Sequence, residues 1–178
     1  MVMGSVSASV VSHASCPVVV VREDNHVTDS TKYGPVVVGV DGSEVSQKAT
    51  AYAFREAQAR GAALIAVHTW MDMQVQASLA GLSAAQSEWA DIEREQSELL
   101  TENLKEPGEE YPEVEVKKLI TRDRPVSALT EAAEGAQLLV VGSHGRGGFK
   151  GMLLGSTSRA LLQSAPCPMM VVRPDEES

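Results

Sequence analysis

Cysteine is scarce in this chain: Cys16 and Cys167 are its two thiols. Two cysteines cannot build a disulfide framework, and their placement matches no zinc-finger spacing. Aromatic residues make up 4% of the sequence against 43% hydrophobic residues overall, so any core must be mostly aliphatic. Basic residues are outnumbered, 15 Lys and Arg against 24 Asp and Glu, for a formal net charge of -9. Long-range electrostatics therefore oppose nucleic acid and anionic membrane as partners. No apolar run reaches transmembrane length, and no charged-then-apolar leader opens the sequence. A soluble protein of the reducing cytoplasm is expected. A Walker-type Gly-Lys-Ser/Thr is also missing, which excludes the commonest phosphate-binding loop.

What is present from residue 35 onward is an alternation of strand and helix patterns. Pro35-Val36-Val37-Val38-Gly39-Val40 is a continuous β-branched run, as expected of a parallel strand buried on both faces. Asp41-Gly42-Ser43 gives a turn and a helix start, and an amphipathic helix follows from Val45 to Arg60, closed by Gly61. Ala62 to Thr69 reads as the second strand. The segment from Met71 to Pro107 is long and mostly polar, with a helix opening at Ser83 and a stripe from Trp89 to Leu104. Val114 to Ile120 reads as a strand at a sheet edge, Pro125 to Glu134 as a helix, Leu138 to Val141 as a fourth strand. A last helix, Thr157 to Ser164, precedes a last strand, Cys167 to Arg173. The order implies an α/β fold: a parallel sheet covered by helices on both faces, with ligands taken up beyond strand carboxyl ends.

Two strand ends stand out. One carries Asp41; the other begins Gly142-Ser143-His144-Gly145-Arg146-Gly147 and runs through further glycines to Gly155-Ser156-Thr157. A glycine-rich loop between a strand and a helix lets backbone approach a ligand closely. Its amides, the Ser156 and Thr157 hydroxyls and the positive end of the next helix all favour an anion, and a nucleotide phosphate fits best.

The chain also repeats itself. Gly4 to Arg22 aligns without gaps to Gly155 to Arg173, a helix, a Cys-Pro pair and a strand in both places. The expected organisation is therefore a remnant of a first domain over 1–24, a polar linker over 25–34 and a complete domain over 35–174. An isolated helix and strand cannot form a core, so Val18 to Arg22 is expected to pair with the apolar edge at Met169 to Arg173.

These residues resemble the universal stress protein family, in particular its ATP-binding branch and its tandem-domain members. The resemblance rests on Val-Gly-Val-Asp-Gly-Ser in the first strand, Arg124-Pro125, Ala165-Pro166-Cys167-Pro168, and the spacing Gly-x2-Gly-x9-Gly-Ser on Gly142, Gly145, Gly155 and Ser156. It implies a Rossmann-like, adenine nucleotide alpha hydrolase-like fold with a five-stranded parallel sheet, and a dimer through the last strand. It also implies ATP, with Mg²⁺ bridging phosphate oxygens where the metal accompanies it. Gly39 and Asp41 then lie against the adenosine, with the Asp41 carboxylate near the ribose, and Val67 lines the adenine slot. Gly142, Ser143, His144, Gly145, Arg146, Gly147, Gly155, Ser156 and Thr157 hold the triphosphate, and Val141 belongs to the same nucleotide site. His144 departs from the arginine found in many relatives. Gly4 and Ser5 match only the end of the signature, so the remnant is expected to bind nothing.

Plainer roles stand beside these. Asp41 is also a good N-cap for the first helix, and capping does not exclude ribose contact. Basic residues such as Arg146 and Lys150 are more often solvated on a loop than bound to phosphate, and His144 is likewise more ordinary as a solvent-facing loop residue than as a general base. Both cysteines suit apolar packing at a strand start. Glu93, Arg94, Glu95 and Glu98 form a solvated helix face. With no evident catalytic apparatus, at most weak ATP hydrolysis is expected. The leading function is a nucleotide-dependent regulator in the stress response; the alternatives are a slow ATPase or phosphotransferase using Asp41, and a dimerisation module that binds no nucleotide.

Overall fold

The computed structural model describes residues 4–22, 25, 33–70, 86–146 and 154–174, with the side chains of Ser5 and 86–90 left aside. Its elements in chain order are α1 (Ser5–His13), β1 (Val18–Val20), β2 (Val36–Gly39), α2 (Glu44–Arg60), β3 (Leu64–Thr69), α3 (Gln86–Glu110), β4 (Val116–Thr121), α4 (Pro125–Ala132), β5 (Leu138–Gly142), α5 (Ser156–Ser164) and β6 (Met169–Val172). Gly147, Lys150, the Ser83 helix start and most of the 25–34 linker lie outside the described residues, and the Trp89 side chain is among those left aside.

The strands form one sheet in the order β1-β6-β5-β2-β3-β4. β2 pairs parallel with both β3 and β5, β3 with β4, and β5 with β6. From β2 the chain first adds strands on one side and then, starting at β5, on the other. That makes the gap between the carboxyl ends of β2 and β5 the topological switch point, where α/β sheets open a crevice.

The five parallel strands are those the pattern predicts, with β4 at the edge as its charges suggest. The sheet gains a sixth, because β1 runs antiparallel along β6 and pairs Val18 with Val171, Val19 with Met170 and Val20 with Met169. Under the repeat alignment Val18, Val19 and Val20 are the counterparts of Met169, Met170 and Val171. The pairing is thus symmetric about Val19 and Met170. The return contacts follow the same logic: Arg22 Nη1 donates to the Gln163 carbonyl (2.5 Å) and Arg173 Nη1 to the Ala14 carbonyl (3.1 Å). Each arginine meets the carbonyl end of the opposite helix, where a cation is favoured.

Side-chain alternation divides the core into two layers. Val36, Val38, Leu138, Val140 and Met170 pack with Ala49, Ala53, Phe54 and Ala57 of α2 and Leu100 and Leu104 of α3. Val37, Leu139, Val141, Met169 and Val171 face Ala128 and Leu129 of α4 and Leu161 and Leu162 of α5, and Val11 of α1 joins them. Val36, Val37 and Val38 are fully buried, which is why this strand reads as an unbroken β-branched run. Alanines at 49, 53 and 57 let α2 close onto the sheet; enlarging one would force strain of about 1–3 kcal/mol.

Helix ends follow local chemistry. Ser43 caps α2 by accepting from the Ser46 amide, and Gly61 ends it in the left-handed region at φ 59. α3 runs beyond Pro107 to Glu110, further than its apolar stripe suggests. Tyr111, just past its end, stacks on Phe54 with centroids 6.3 Å apart, so core packing holds a turn that proline disfavours. Among the described residues, no helix is long and apolar enough to cross a membrane.

Candidate functional site

The switch-point crevice is a cavity of about 600 Å³. Its walls are the ends of β2 (Gly39, Val40, Asp41), β3 (Val67 to Trp70) and β5 (Val141, Gly142), the loop at His144 to Arg146, the start of α5 (Gly155 to Ser158), and Pro125 and Leu129 of α4. The sheet topology thereby brings together Gly39, Asp41, Val67, Val141, Gly142, His144, Gly145, Arg146, Gly155, Ser156 and Thr157, residues far apart in sequence. Ser143 is the exception. It is fully buried behind the wall, where its amide donates to the Val172 carbonyl (2.7 Å) and its carbonyl accepts from the Gly155 amide (2.7 Å). Its place is structural: it ties β6 to the end of β5 and closes the two ends of the glycine segment on each other.

Asp41 does not cap α2, since Ser43 does. Asp41 Oδ1 accepts from the Ser43 amide (2.9 Å) and Oδ2 from the Arg146 amide (3.1 Å), so one carboxylate joins the β2 turn to the β5 loop. Its own amide donates to Ser46 Oγ (3.0 Å). Ser158 Oγ donates to the Gly142 carbonyl (2.7 Å), pinning α5 to the strand end.

The glycines have a more specific reason than open access for a ligand. A Cβ at Gly142 would lie 3.0 Å from Val45 Cγ1, and one at Gly155 would lie 3.2 Å from the His144 Cα. A Cβ at Gly145 would collide with the Asp41 carboxylate. Glycine is needed there so that the loop can close on its own scaffold. What remains for a ligand is the start of α5, whose N-cap, Gly155, supplies no side-chain cap. Its first-turn amides and the helix dipole face the cavity together with the Ser156 and Thr157 residues. A cavity of this size, apolar at Val67 and Leu129 and amide-rich at α5, suits an organic anion with a flat apolar part. A nucleotide has that form.

Wall residues that escape a reading by motif include Ser46, His68, Trp70 and Leu129. His68 is buried with Nδ1 2.6 Å from the Val40 carbonyl and Nε2 2.9 Å from Gln96 Oε1. Its signal in the sequence is an ionisable residue directly after the apolar run Ala62 to Val67. Trp70 is buried beneath the Arg122 guanidinium, 4.8 Å from the ring centroid. Below α4, the Arg124 amide and then the Ser127 hydroxyl hold the Asp123 carboxyl under its ordinary range. Ser143 Oγ and His144 Nδ1 share a hydrogen bond (3.1 Å), but a fully buried Ser143 cannot reach a substrate. Among the described residues, no cluster of three or more His, Cys, Asp or Glu side chains is arranged to hold a metal ion.

Comparison with known proteins agrees with this architecture. Residues 32–173 match the Universal stress protein family. Universal stress protein Rv2005c of Mycobacterium tuberculosis is 47% identical over 171 residues, covering 96% of this chain and 56% of that protein. The chain thus spans about half the length of the curated relatives it matches. A universal stress protein from Archaeoglobus fulgidus superposes with a TM-score of 0.62 at 25% identity, covering 99% of this chain and 56% of that one. A universal stress protein solved in complex with cAMP superposes at 0.51 with 26% identity over 79% of this chain and 97% of its own. With a match that takes in β2 to β6 and the whole cavity wall, the chain belongs to the universal stress protein family.

Proposed function

We propose that this chain is an ATP-binding regulator of the cytoplasm, whose nucleotide state is read by partner proteins. The observation that carries the reading is the uncapped start of α5 facing, across one cavity, the Asp41 carboxylate at the end of β2. The α5 amides and the loop at Gly142 to Arg146 suit the phosphates; Gly39, Asp41 and Val67 suit the adenosine. A relative with cAMP bound supports an adenine nucleotide in the family. Any Mg²⁺ would be held chiefly by phosphate oxygens, with Asp41 as the nearest carboxylate in the wall.

The geometry favours binding over turnover. Both Asp41 oxygens already accept from backbone amides, which suits a structural acceptor better than a general base. Mass spectrometry of the nucleotide that co-purifies with undenatured protein tests the reading, and ATP is the expected result. Absence of any nucleotide, together with no ATP binding by titration calorimetry, would leave an interaction module instead. ATP turnover above background that vanishes in Asp41→Ala would establish the enzyme reading.

The symmetric pairing of β1 with β6 supports a second proposal, that α1 and β1 are the tail of a preceding copy of the same domain. An interface in which one residue meets the counterpart of a second, and the second meets the counterpart of the first, is the signature of two-fold association. In this structure β1 occupies the edge that a homodimer through β6 would use. Protein lacking residues 1–22 should therefore dimerise through β6. Sedimentation equilibrium showing a monomer at high concentration would refute that.

A further inference from the structure

One line of polar contacts runs from the body of the protein into the cavity wall. It begins at Gln96 on α3, passes through His68 at the end of β3, and ends at Asp41. The Val40 carbonyl is a pure acceptor, so His68 Nδ1 must carry a proton and donate to it (2.6 Å). Nε2 faces the Gln96 side-chain amide at 2.9 Å. The Gln96 Oε1 contact holds the ring with Nδ1 aimed at the Val40 carbonyl. Each ring nitrogen of the buried His68 thus has a hydrogen-bond partner, as burial demands.

What this line grips is a single peptide plane. The Val40 carbonyl is held by His68, and the Asp41 amide of the same unit donates to Ser46 Oγ (3.0 Å). A trans peptide is rigid, so fixing both of its polar ends fixes the place of the Asp41 Cα and the bond axis about which its side chain can turn. From that anchored base Oδ1 reaches the Ser43 amide and Oδ2 the Arg146 amide. A buried apolar residue in place of His68 would fill the space but leave the Val40 carbonyl unpaired and the plane free to tilt.

We infer that His68, oriented by Gln96, is a positioning residue for Asp41, and that it links α3 to the loop at Arg146. The effect on the loop stands on the hydrogen bonds alone; the effect on nucleotide affinity rests on the reading of the cavity as an ATP site.

The test uses the full chain and the variants His68→Phe, His68→Asn, Gln96→Leu and Asp41→Ala. Amide hydrogen exchange in ligand-free protein should be about tenfold faster at Ser43 and Arg146 in His68→Phe, the size expected for one lost bond. Exchange at Val36 and Leu139, whose amides bond within the core, should not change. His68→Asn keeps a donor for the Val40 carbonyl and should recover much of the protection. Titration with ATP should show about tenfold weaker binding in His68→Phe but less than twofold further loss in Asp41→Ala, because the two act in series. Unchanged exchange at Ser43 and Arg146 in folded His68→Phe would overturn the inference, as would full additivity with Asp41→Ala. If His68→Phe fails to fold, Gln96→Leu carries the same exchange measurement with the same two outcomes. If the unaltered protein binds no ATP, the nucleotide reading fails and the exchange result alone decides the role of His68.

Discussion

The units Gly4 to Arg22 and Gly155 to Arg173 are aligned throughout in sequence and differ sharply in surroundings. Both form a nine-residue helix with equivalent ends, α1 and α5, and both continue into an apolar strand. Yet Val10 is 50% exposed where its counterpart Leu161 is 0%, and Val19 is 46% exposed where Met170 is 6%. Ser7 is exposed, whereas its counterpart Ser158 anchors the Gly142 carbonyl. Local sequence sufficed to set helix, turn and strand twice over. What the second copy adds is a β5 to lie beside and a β2 beyond it, and from these come a core, a cavity and a site. The same peptide is a binding element in one place and a strap in the other.

That contrast is open to attack, most forcefully at the helix core. Leu161→Ala should cost about 3 kcal/mol of unfolding free energy, and Val10→Ala less than about 0.5 kcal/mol, by urea denaturation. Equal losses would mean that α1 is as deeply packed as α5. Next comes the pair of N-cap glycines. A Cβ at Gly155 would press on the His144 backbone, while one at Gly4 would meet nothing within 4 Å. Gly155→Val should abolish ATP binding in calorimetry and cost about 2 kcal/mol of stability, whereas Gly4→Val should leave both unchanged.

A smaller difference is expected between the arginines. The bond from Arg173 to the Ala14 carbonyl is partly buried and the bond from Arg22 to the Gln163 carbonyl is exposed. Arg173→Ala should cost about 1 kcal/mol and Arg22→Ala no more than about half of that. Least in free energy, though clear in rate, is the cysteine pair. Cys16 is exposed, while burial pushes the Cys167 thiol from the ordinary 9.0 up to about 11. Cys16 should be alkylated first at pH 8, with Cys167 slowed on the order of a hundredfold through its thiolate fraction alone. Because the folded value lies above the unfolded one, the Cys167 contribution to stability is complete below pH 9.0 and is lost as pH rises toward about 11. Cys167→Ser should remove that alkaline slope; a slope that persists would place its origin elsewhere.

Much of this fold is written locally. The valine run at 36–38, the Ser43 cap, Gly61 and Pro125 mark their elements because each satisfies a rule of backbone geometry or burial that needs no distant partner. The cavity's motif residues are legible for the same reason, at strand ends before glycine or aspartate. What the sequence withholds are relations made in space. Ser143 lies within the glycine motif and yet turns to β6. Asp41 suits a cap, but the neighbouring Ser43 performs it, and the carboxylate crosses to a loop about a hundred residues away. His68 and Gln96 carry no motif, because their pairing exists only once α3 has crossed the end of β3. The reach of α3 past Pro107 likewise depends on Phe54, in a different helix.

The two margins of the sheet bear on how this protein behaves at high concentration. β6 is apolar and buried along its whole length, and uncovered it would offer a flat strip to which other chains could add. β1 replaces that strip with a strand of three residues that begins after Pro17 and ends before Val21 and Arg22, too short to template further strands well. At the opposite margin β4 shows Lys117 and Lys118 to solvent, where like charges repel an incoming neighbour. A short antiparallel strap and two lysines thus leave a largely apolar sheet with neither side inviting aggregation.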